Sequence, residues 1–111
     1  MDSKKLLRVI GIYRTYFEKM GCKKEDVPHD KTPQGFADSK YPSNFHTRKL
    51  ILKKVALAHC HRMLDQMEQF VAEGHPEKTF RWLGFIQGVL WLSGCYTLEE
   101  LKNHNHPDTA V

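Results

Sequence analysis

The sequence has few cysteines and no long hydrophobic run, and each shortage argues against a class of protein. Cys22, Cys60 and Cys95 are an odd number at wide spacing, which indicates neither a disulfide framework nor a Cys-x-x-Cys zinc site. The amino terminus lacks the apolar run and small-residue cleavage site of a secretory signal. No apolar stretch has the length of a bilayer span. We therefore expect a protein of the reducing cytoplasm.

Motifs of common enzymes are also missing. The sequence contains no glycine-rich phosphate loop, no Gly-x-Ser-x-Gly turn and no His-Glu-x-x-His pair. The run His59-Cys60-His61 suggests a metal site, but adjacent residues of a helix point about 100° apart and cannot hold one ion together. Cys60 on a core helix is predicted to be a small hydrophobic residue. These absences predict a protein that is not an enzyme and has no cofactor and no metal site.

The charge of the chain favours a negatively charged partner. The formal net charge is +4, and seven histidines can add to it in mild acid. This balance suits phosphates, nucleotides or nucleic acid, although a basic surface can also serve solubility alone. The hydrophobic fraction of 41% and the charged fraction of 27% are those of an ordinary soluble domain.

Hydrophobic spacing predicts an all-α fold in a single domain of residues 1–111. The first helix lies within residues 1–21, where an apolar stripe recurs every three or four residues: Leu6, Ile10, Tyr13, Phe17 and Met20. Residues 22–46 are rich in proline and polar residues, which indicates a long loop. Residues 47–104 are predicted to form a long antiparallel helix hairpin and a short C-terminal helix, which makes a small helical bundle.

The segment 78–94 is predicted to be a helix that is apolar nearly all round. Such a helix is normally buried. Gly84 and Gly88 lie one turn apart, so another backbone could approach there. We expect this helix at the centre of the core or of an oligomer interface. The apolar surplus on the hairpin predicts at least a homodimer, with this helix near the symmetry axis.

The C-terminal helix is predicted from a capping box, Thr97-Leu98-Glu99-Glu100. Leu98 and Leu101 are expected to pack inward. The tail from His104 has no core residues before the terminus, and we expect it to fray.

Seven residues are candidates for binding a small anionic ligand. Lys78 and Arg81 lie three apart near the start of the apolar helix, where free backbone amides favour anions. The other candidates lie on the preceding helix and in the basic, aromatic loop: His59, Arg62, Tyr41, His46 and Arg48. The plainer alternative for Lys78 and Arg81 is an ion pair with Glu73, Glu77 or Asp65.

The last 55 or so residues resemble a family of small uncharacterised proteins of tailed bacteriophages and prophages. The resemblance lies in the segments 59–71, 77–91 and 96–105, and the run Arg-Trp-Leu-Gly-Phe-x-Gln-Gly at 81–88 is its most specific part. It implies an accessory protein of the bacterial host cytoplasm. It implies no catalytic residues. Some phage accessory proteins of this size sequester the nucleotide signals of bacterial immunity, which is an analogy of class only.

Three hypotheses follow. The first is a sponge that binds an anionic nucleotide in a pocket of basic and aromatic residues. The second is a module that inhibits a host protein through an exposed apolar patch. The third is a nucleic-acid-binding protein, which requires a contiguous basic stripe on the first helix and the loop.

Overall fold

The computed structural model describes residues 2–41 and 45–106, and only the backbone of residues 45–48. This part of the chain contains five α-helices: α1 Ser3–Lys19, α2 Pro33–Lys40, α3 Phe45–Ala72, α4 Pro76–Leu92 and α5 Leu98–Asn105. The all-α class predicted from the sequence is confirmed. Among the described residues, none of these helices has both the length and the apolar character needed to cross a membrane.

The core lies around α3, which packs against α1, α2 and α4, while α5 contacts α1 and α4. Its largest fully buried side chains come from α1, α3 and α4: Leu6, Val9, Ile10, Tyr13, Phe17, Leu64, Met67, Ile86 and Leu90. The stripe predicted on α1 is therefore confirmed except for Met20, which is 47% exposed just beyond the helix.

Glycine ends three of the helices at the positions the sequence indicates. Gly21, Gly74 and Gly94 follow α1, α3 and α4 with φ angles of 68°, 83° and 77°. A residue with a Cβ is strained in this left-handed region, so glycine is favoured at these three turns.

The loop predicted over residues 22–46 contains a helix, so the prediction of an irregular connection is wrong there. The Thr32 side chain accepts a hydrogen bond from the Gly35 N–H, and Pro33 occupies the first turn of α2. Ala37 packs with Val27 and Val55 in a second, smaller apolar cluster. Because Ala37 is the only buried residue of this eight-residue helix, its apolar periodicity is too weak to be recognised in the sequence.

Helix α4 is not buried all round within one chain. Thr79, Leu83, Ile86 and Leu90 face the core, whereas other large apolar side chains of α4 are exposed: Phe80, Phe85, Trp91 and Leu92. The prediction that this helix forms the centre of the core is wrong, since α3 takes that place. The alternative prediction, an oligomer interface, remains a prediction.

The C-terminal helix agrees with the prediction only in part. The capping box is confirmed, with the Thr97 N–H donating to Glu100 Oε1 at 2.9 Å and the Glu100 N–H donating to Thr97 Oγ1 at 3.1 Å. Leu101 is buried as predicted, but Leu98 is 63% exposed. The prediction that the chain frays from His104 is wrong for His104 and Asn105, which belong to α5. The part of that prediction that concerns residues 107–111 lies outside the described residues.

A polar cluster holds α5 against α1 and α4. Gln87 donates to the Tyr13 hydroxyl at 2.9 Å and exchanges two hydrogen bonds with the Asn105 amide, at 2.8 and 2.9 Å. The Tyr13 hydroxyl donates in turn to His104 Nδ1, at 2.9 Å. Burial raises the pKa of Tyr13 to about 12 and lowers the pKa of His104. The hydroxyl therefore remains protonated, and the neutral imidazole can accept its hydrogen bond.

Candidate functional site

A cleft of about 370 Å³ opens where the segment 26–29 crosses α3 and α4. We call it the His59 cleft. Its lining combines apolar, aromatic and hydrogen-bonding side chains: Asp26, Val27, Pro28, His29, His59, Met63, Gln66, Arg81, Trp82 and Phe85. Its volume lies at the lower end of the range typical of small-molecule pockets.

The segment that forms one wall is held to α3 by backbone hydrogen bonds. The Val27 N–H donates to His59 Nδ1 at 2.9 Å, and the Glu25 N–H donates to the Ala58 carbonyl at 3.2 Å. Because a backbone N–H cannot accept a hydrogen bond, Nδ1 must carry the lone pair and Nε2 the proton. Burial lowers the pKa of His59, which also favours this neutral form. His59 therefore presents an Nε2–H donor.

The opposite wall is aromatic. Trp82 packs edge-on against Phe70, with ring centroids 4.9 Å apart and an interplanar angle of 86°, which fixes the indole. The Phe85 ring is 56% exposed and meets the His59 ring at 6.5 Å between centroids. This wall can pack against a flat ring.

Arg81 provides the positive charge at the rim. Its side chain is exposed, and within the described residues it forms no hydrogen bond and no ion pair. The expected partner Asp65 instead pairs with Arg14 at 2.9 Å and Lys24 at 3.0 Å. The guanidinium is thus available to a ligand.

The cleft also contains a negative charge, on Asp26. Arg62 Nε lies 3.8 Å from Asp26 Oδ2, and Arg62 Nη1 lies 3.6 Å from Asp65 Oδ2. Arg62 therefore sits beside the cleft and partly balances the Asp26 carboxylate, although it is not a lining residue.

The structure brings together only part of the predicted ligand-binding set. Arg81 and His59 line the His59 cleft. Lys78 does not, because its Nζ lies over the Phe70 ring, 4.4 Å from the centroid. The pairing predicted for Lys78 and Arg81 with Glu73, Glu77 or Asp65 is absent among the described residues.

Tyr41 lines a different cleft of about 390 Å³, which we call the Tyr41 cleft. It lies between the end of α1 and α3, and its lining includes Lys23, Glu25, Ile51 and Lys54. The predicted grouping of Tyr41 with Arg81 is therefore wrong. The side chains of His46 and Arg48 lie outside the described residues.

The other residues of the His-Cys-His run have structural roles. Cys60 is fully buried, and burial raises its thiol pKa to about 12, which removes the thiolate as a nucleophile at neutral pH. His61 is 3% exposed, and its Nδ1 lies 2.9 Å from the Cys22 carbonyl oxygen, to which it donates. Within the described part of the chain, no group of three His, Cys, Asp or Glu side chains could hold a metal ion.

Sequence reasoning did not identify several lining residues of the His59 cleft. Trp82 and Phe85 belong to the segment predicted to be apolar nearly all round, and the seven candidate ligand-binding residues do not include Asp26, His29 or Gln66. Arg81, Trp82 and Phe85 lie close together along α4, and this proximity in the sequence could have predicted that they line one site. Nothing in the sequence of residues 26–29 predicts that this segment packs against α3.

The fold and the cleft together define an all-α protein with a half-open site that is aromatic on one side and cationic at the rim. Comparison with protein-family models, with curated proteins and with solved structures finds no match for this chain. Its function must therefore be inferred from the residues of the cleft and of the surface.

Proposed function

We propose that this chain is a non-enzymatic binding protein for a small anionic ligand that carries a flat ring, with a nucleotide as the best candidate. The observation that supports this most strongly is Arg81, an exposed cation without an ion pair among the described residues, beside the aromatic wall of Trp82 and Phe85. An arginine matches the oxygen geometry of a phosphate, and an aromatic face matches a base.

Hydrogen-bonding groups in the same cleft would bind the edge of the ligand's ring. The neutral His59 offers an Nε2–H donor, and the Gln66 amide offers a donor and an acceptor. Asp26 would accept a hydrogen bond from an exocyclic amine, with Arg62 offsetting its repulsion toward the phosphate. Together with Arg81, these groups supply partners for the phosphate and for the base of a nucleotide.

Nucleic acid is a weaker candidate because three of the cations expected to form a basic stripe are already paired. Arg14 pairs with Glu68 at 2.8 Å and with Asp65, and Lys24 pairs with Asp65. Lys40 pairs with Glu25 at 2.7 Å. These pairs reduce the positive charge of α1 and of the segment 22–41 without cancelling it.

In the context implied by the phage resemblance, the ligand would be a nucleotide signal of bacterial immunity. The protein would then act in the host cytoplasm as an anti-defence sponge, by binding the signal without changing it. An antiparallel hairpin of α3 and α4 would form the rigid part of the site. Inhibition of a host protein is the alternative outcome of the test below.

The first test is native mass spectrometry of protein purified from bacterial cells, before and after denaturation. We expect a bound species of nucleotide mass that is released on denaturation. Absence of any such species, together with no binding of added AMP at millimolar concentration, would refute the proposal and direct the search to a host protein partner.

The site itself is tested by Arg81→Ala. Loss of a charge-assisted hydrogen bond should weaken AMP binding about tenfold or more, measured by calorimetric titration. Because Arg81 is exposed, its free energy of unfolding should change by less than about 0.5 kcal/mol. Lys78→Ala, on the same helix but outside the cleft, is the matched control and should bind AMP like the unmodified chain. Equal binding by the Arg81 variant would show that the ligand is not held here.

A further inference from the structure

We propose that α4 also forms the interface of a homodimer, in which the α4 helices of two copies pack antiparallel. The face concerned, which we call the α4 seam, consists of Phe80, Gly84, Gly88, Trp91 and Leu92. These residues recur at spacings of three and four along α4, so they lie on one side of the helix. The core-facing residues Thr79, Leu83, Ile86 and Leu90 lie on another side.

The seam leaves large apolar groups in water when the chain is alone. Phe80 is 49% exposed, Trp91 51% and Leu92 83%, and Phe85 at its border is 56% exposed. From the usual area of such side chains, these four residues expose roughly 450 Å² per copy. Two copies would bury roughly 900 Å² before the backbone and polar rim are counted, which approaches the ~1,000 Å² of a specific interface.

Two glycines give this face the shape of a groove. Both are exposed, and no atom lies within 4 Å of a Cβ built on Gly84 or Gly88. Nothing within the described chain therefore requires glycine at these positions, although glycine lowers helix propensity relative to alanine. A second helix backbone could lie in the groove between Phe80 and Leu92.

The charges at the two ends of the seam are complementary to each other. Arg81 adjoins Phe80 at one end, without an ion pair among the described residues. At the other end, Trp91 lines a shallow hollow whose rim carries two carboxylates, Glu99 and Glu100. A two-fold axis across the seam would bring Arg81 of each copy to the acidic hollow of the other, whereas parallel packing would oppose like charges.

The groove also sets the register. If Gly84 faces Gly88 of the partner subunit, then Phe80 faces Leu92 of the partner subunit. In the same register Arg81 faces Trp91 of the partner subunit, a geometry that allows a cation–π contact. The surface is therefore complementary to itself in shape, apolar character and charge, which identifies a second copy of this chain as its occupant.

The proposal is tested by sedimentation velocity of the full chain at about 10–100 µM, without added ligand. We expect a species of twice the 13.0 kDa chain mass. A monomer throughout this range would overturn the proposal. The dimer requires no ligand, so this result does not depend on ligand binding. Arg81 and Phe85 line the His59 cleft and also border the seam, so a ligand and the partner subunit would compete for them.

Two variants test the groove and its apolar edge. Gly88→Gln should weaken the dimer about tenfold or more by filling the groove, while the helical circular dichroism of the chain stays unchanged. Leu92→Gln should weaken it as well. The matched controls are Gly11→Gln, in α1 with equally open space at its Cβ, and Leu50→Gln, an exposed leucine of α3. A dimer that survives both seam variants, or that is lost equally in the controls, would refute the interface.

Orientation is tested by charge reversal. Glu99→Lys should weaken the antiparallel dimer about two- to fivefold, as expected for loss of an exposed ion pair, while Glu18→Lys on α1 should not. If Glu99→Lys leaves the dimer unchanged, the antiparallel arrangement is wrong.

Discussion

Gln87 has a structural role that its position in the sequence does not predict. In the sequence it interrupts an apolar helix. In the structure its amide links three helices through Tyr13 on α1 and Asn105 on α5. A half-buried amide in such a cluster contributes mainly because its partners cannot easily be satisfied elsewhere.

We therefore predict that Gln87→Leu lowers the free energy of unfolding by about 1–3 kcal/mol, since the buried Tyr13 hydroxyl and the half-buried Asn105 amide would each lose a partner. Urea unfolding followed by circular dichroism measures this. Gln69→Leu, on an exposed position of α3, is the control and should change stability by less than about 0.5 kcal/mol. Equal destabilisation in both variants would show that the hydrogen bonds of Gln87 contribute no more to stability than an exposed glutamine does.

Among the elements, α5 shows how local signals and tertiary contacts combine. Its start is encoded by Thr97 and Glu100, which satisfy each other's backbone N–H groups. Its last two residues contact other helices, His104 through Tyr13 on α1 and Asn105 through Gln87 on α4.

We predict that Thr97→Ala costs about 1 kcal/mol of unfolding free energy, the usual cost of losing an N-cap. Thr15→Ala, an exposed interior position of α1, should instead be neutral or slightly stabilising because alanine favours the helix. The measurement is the urea midpoint of each variant. If Thr97→Ala had no effect, α5 would not contribute to the cooperative fold.

The elements also differ in how far the sequence could define them. Helices α1, α3, α4 and α5 carry caps, glycine stops or strong periodicity, and all four were predicted within a few residues of their ends. Helix α2 was not predicted because one buried residue, Ala37, gives no repeating apolar pattern. For the candidate site, Arg81 and His59 were found from charge and position. Trp82 and Phe85 were not, because an apolar helix does not indicate which of its sides stays exposed.

At the scale of the whole molecule, stability in mild acid depends on two histidines held neutral. Burial lowers the pKa of His59 and of His104 below the ordinary value of 6.5. As pH falls through 6.5 the unfolded chain takes up protons before the folded chain does, so protonation favours unfolding. Below the pH range in which His59 and His104 take up protons, protonation of Asp65 lowers the folding stability a second time. Burial alone would raise its pKa, but hydrogen bonds from Lys24 and Arg14 lower it overall.

We predict that the free energy of unfolding is constant from about pH 8 to 7 and decreases as pH falls from about 7 to 5. It should decrease again below the ordinary Asp value of 3.8. Urea unfolding across this range measures both steps. His104→Gln should reduce the first step, whereas Gln69→Leu, which changes no ionisable group, should leave it unchanged. A flat profile between pH 7 and 5 would contradict the neutral state of both histidines.

The sequence by itself determined where most helices begin and end, because caps, left-handed glycines and apolar spacing act over a few neighbouring residues. It also determined that α4 is apolar nearly all round. Only the tertiary structure decided which side of α4 faces the core, and that the segment 26–29 meets α3 and α4 to form the His59 cleft. These features depend on contacts between residues distant in sequence, such as Val27 with His59 and Tyr13 with Gln87, for which no local pattern exists.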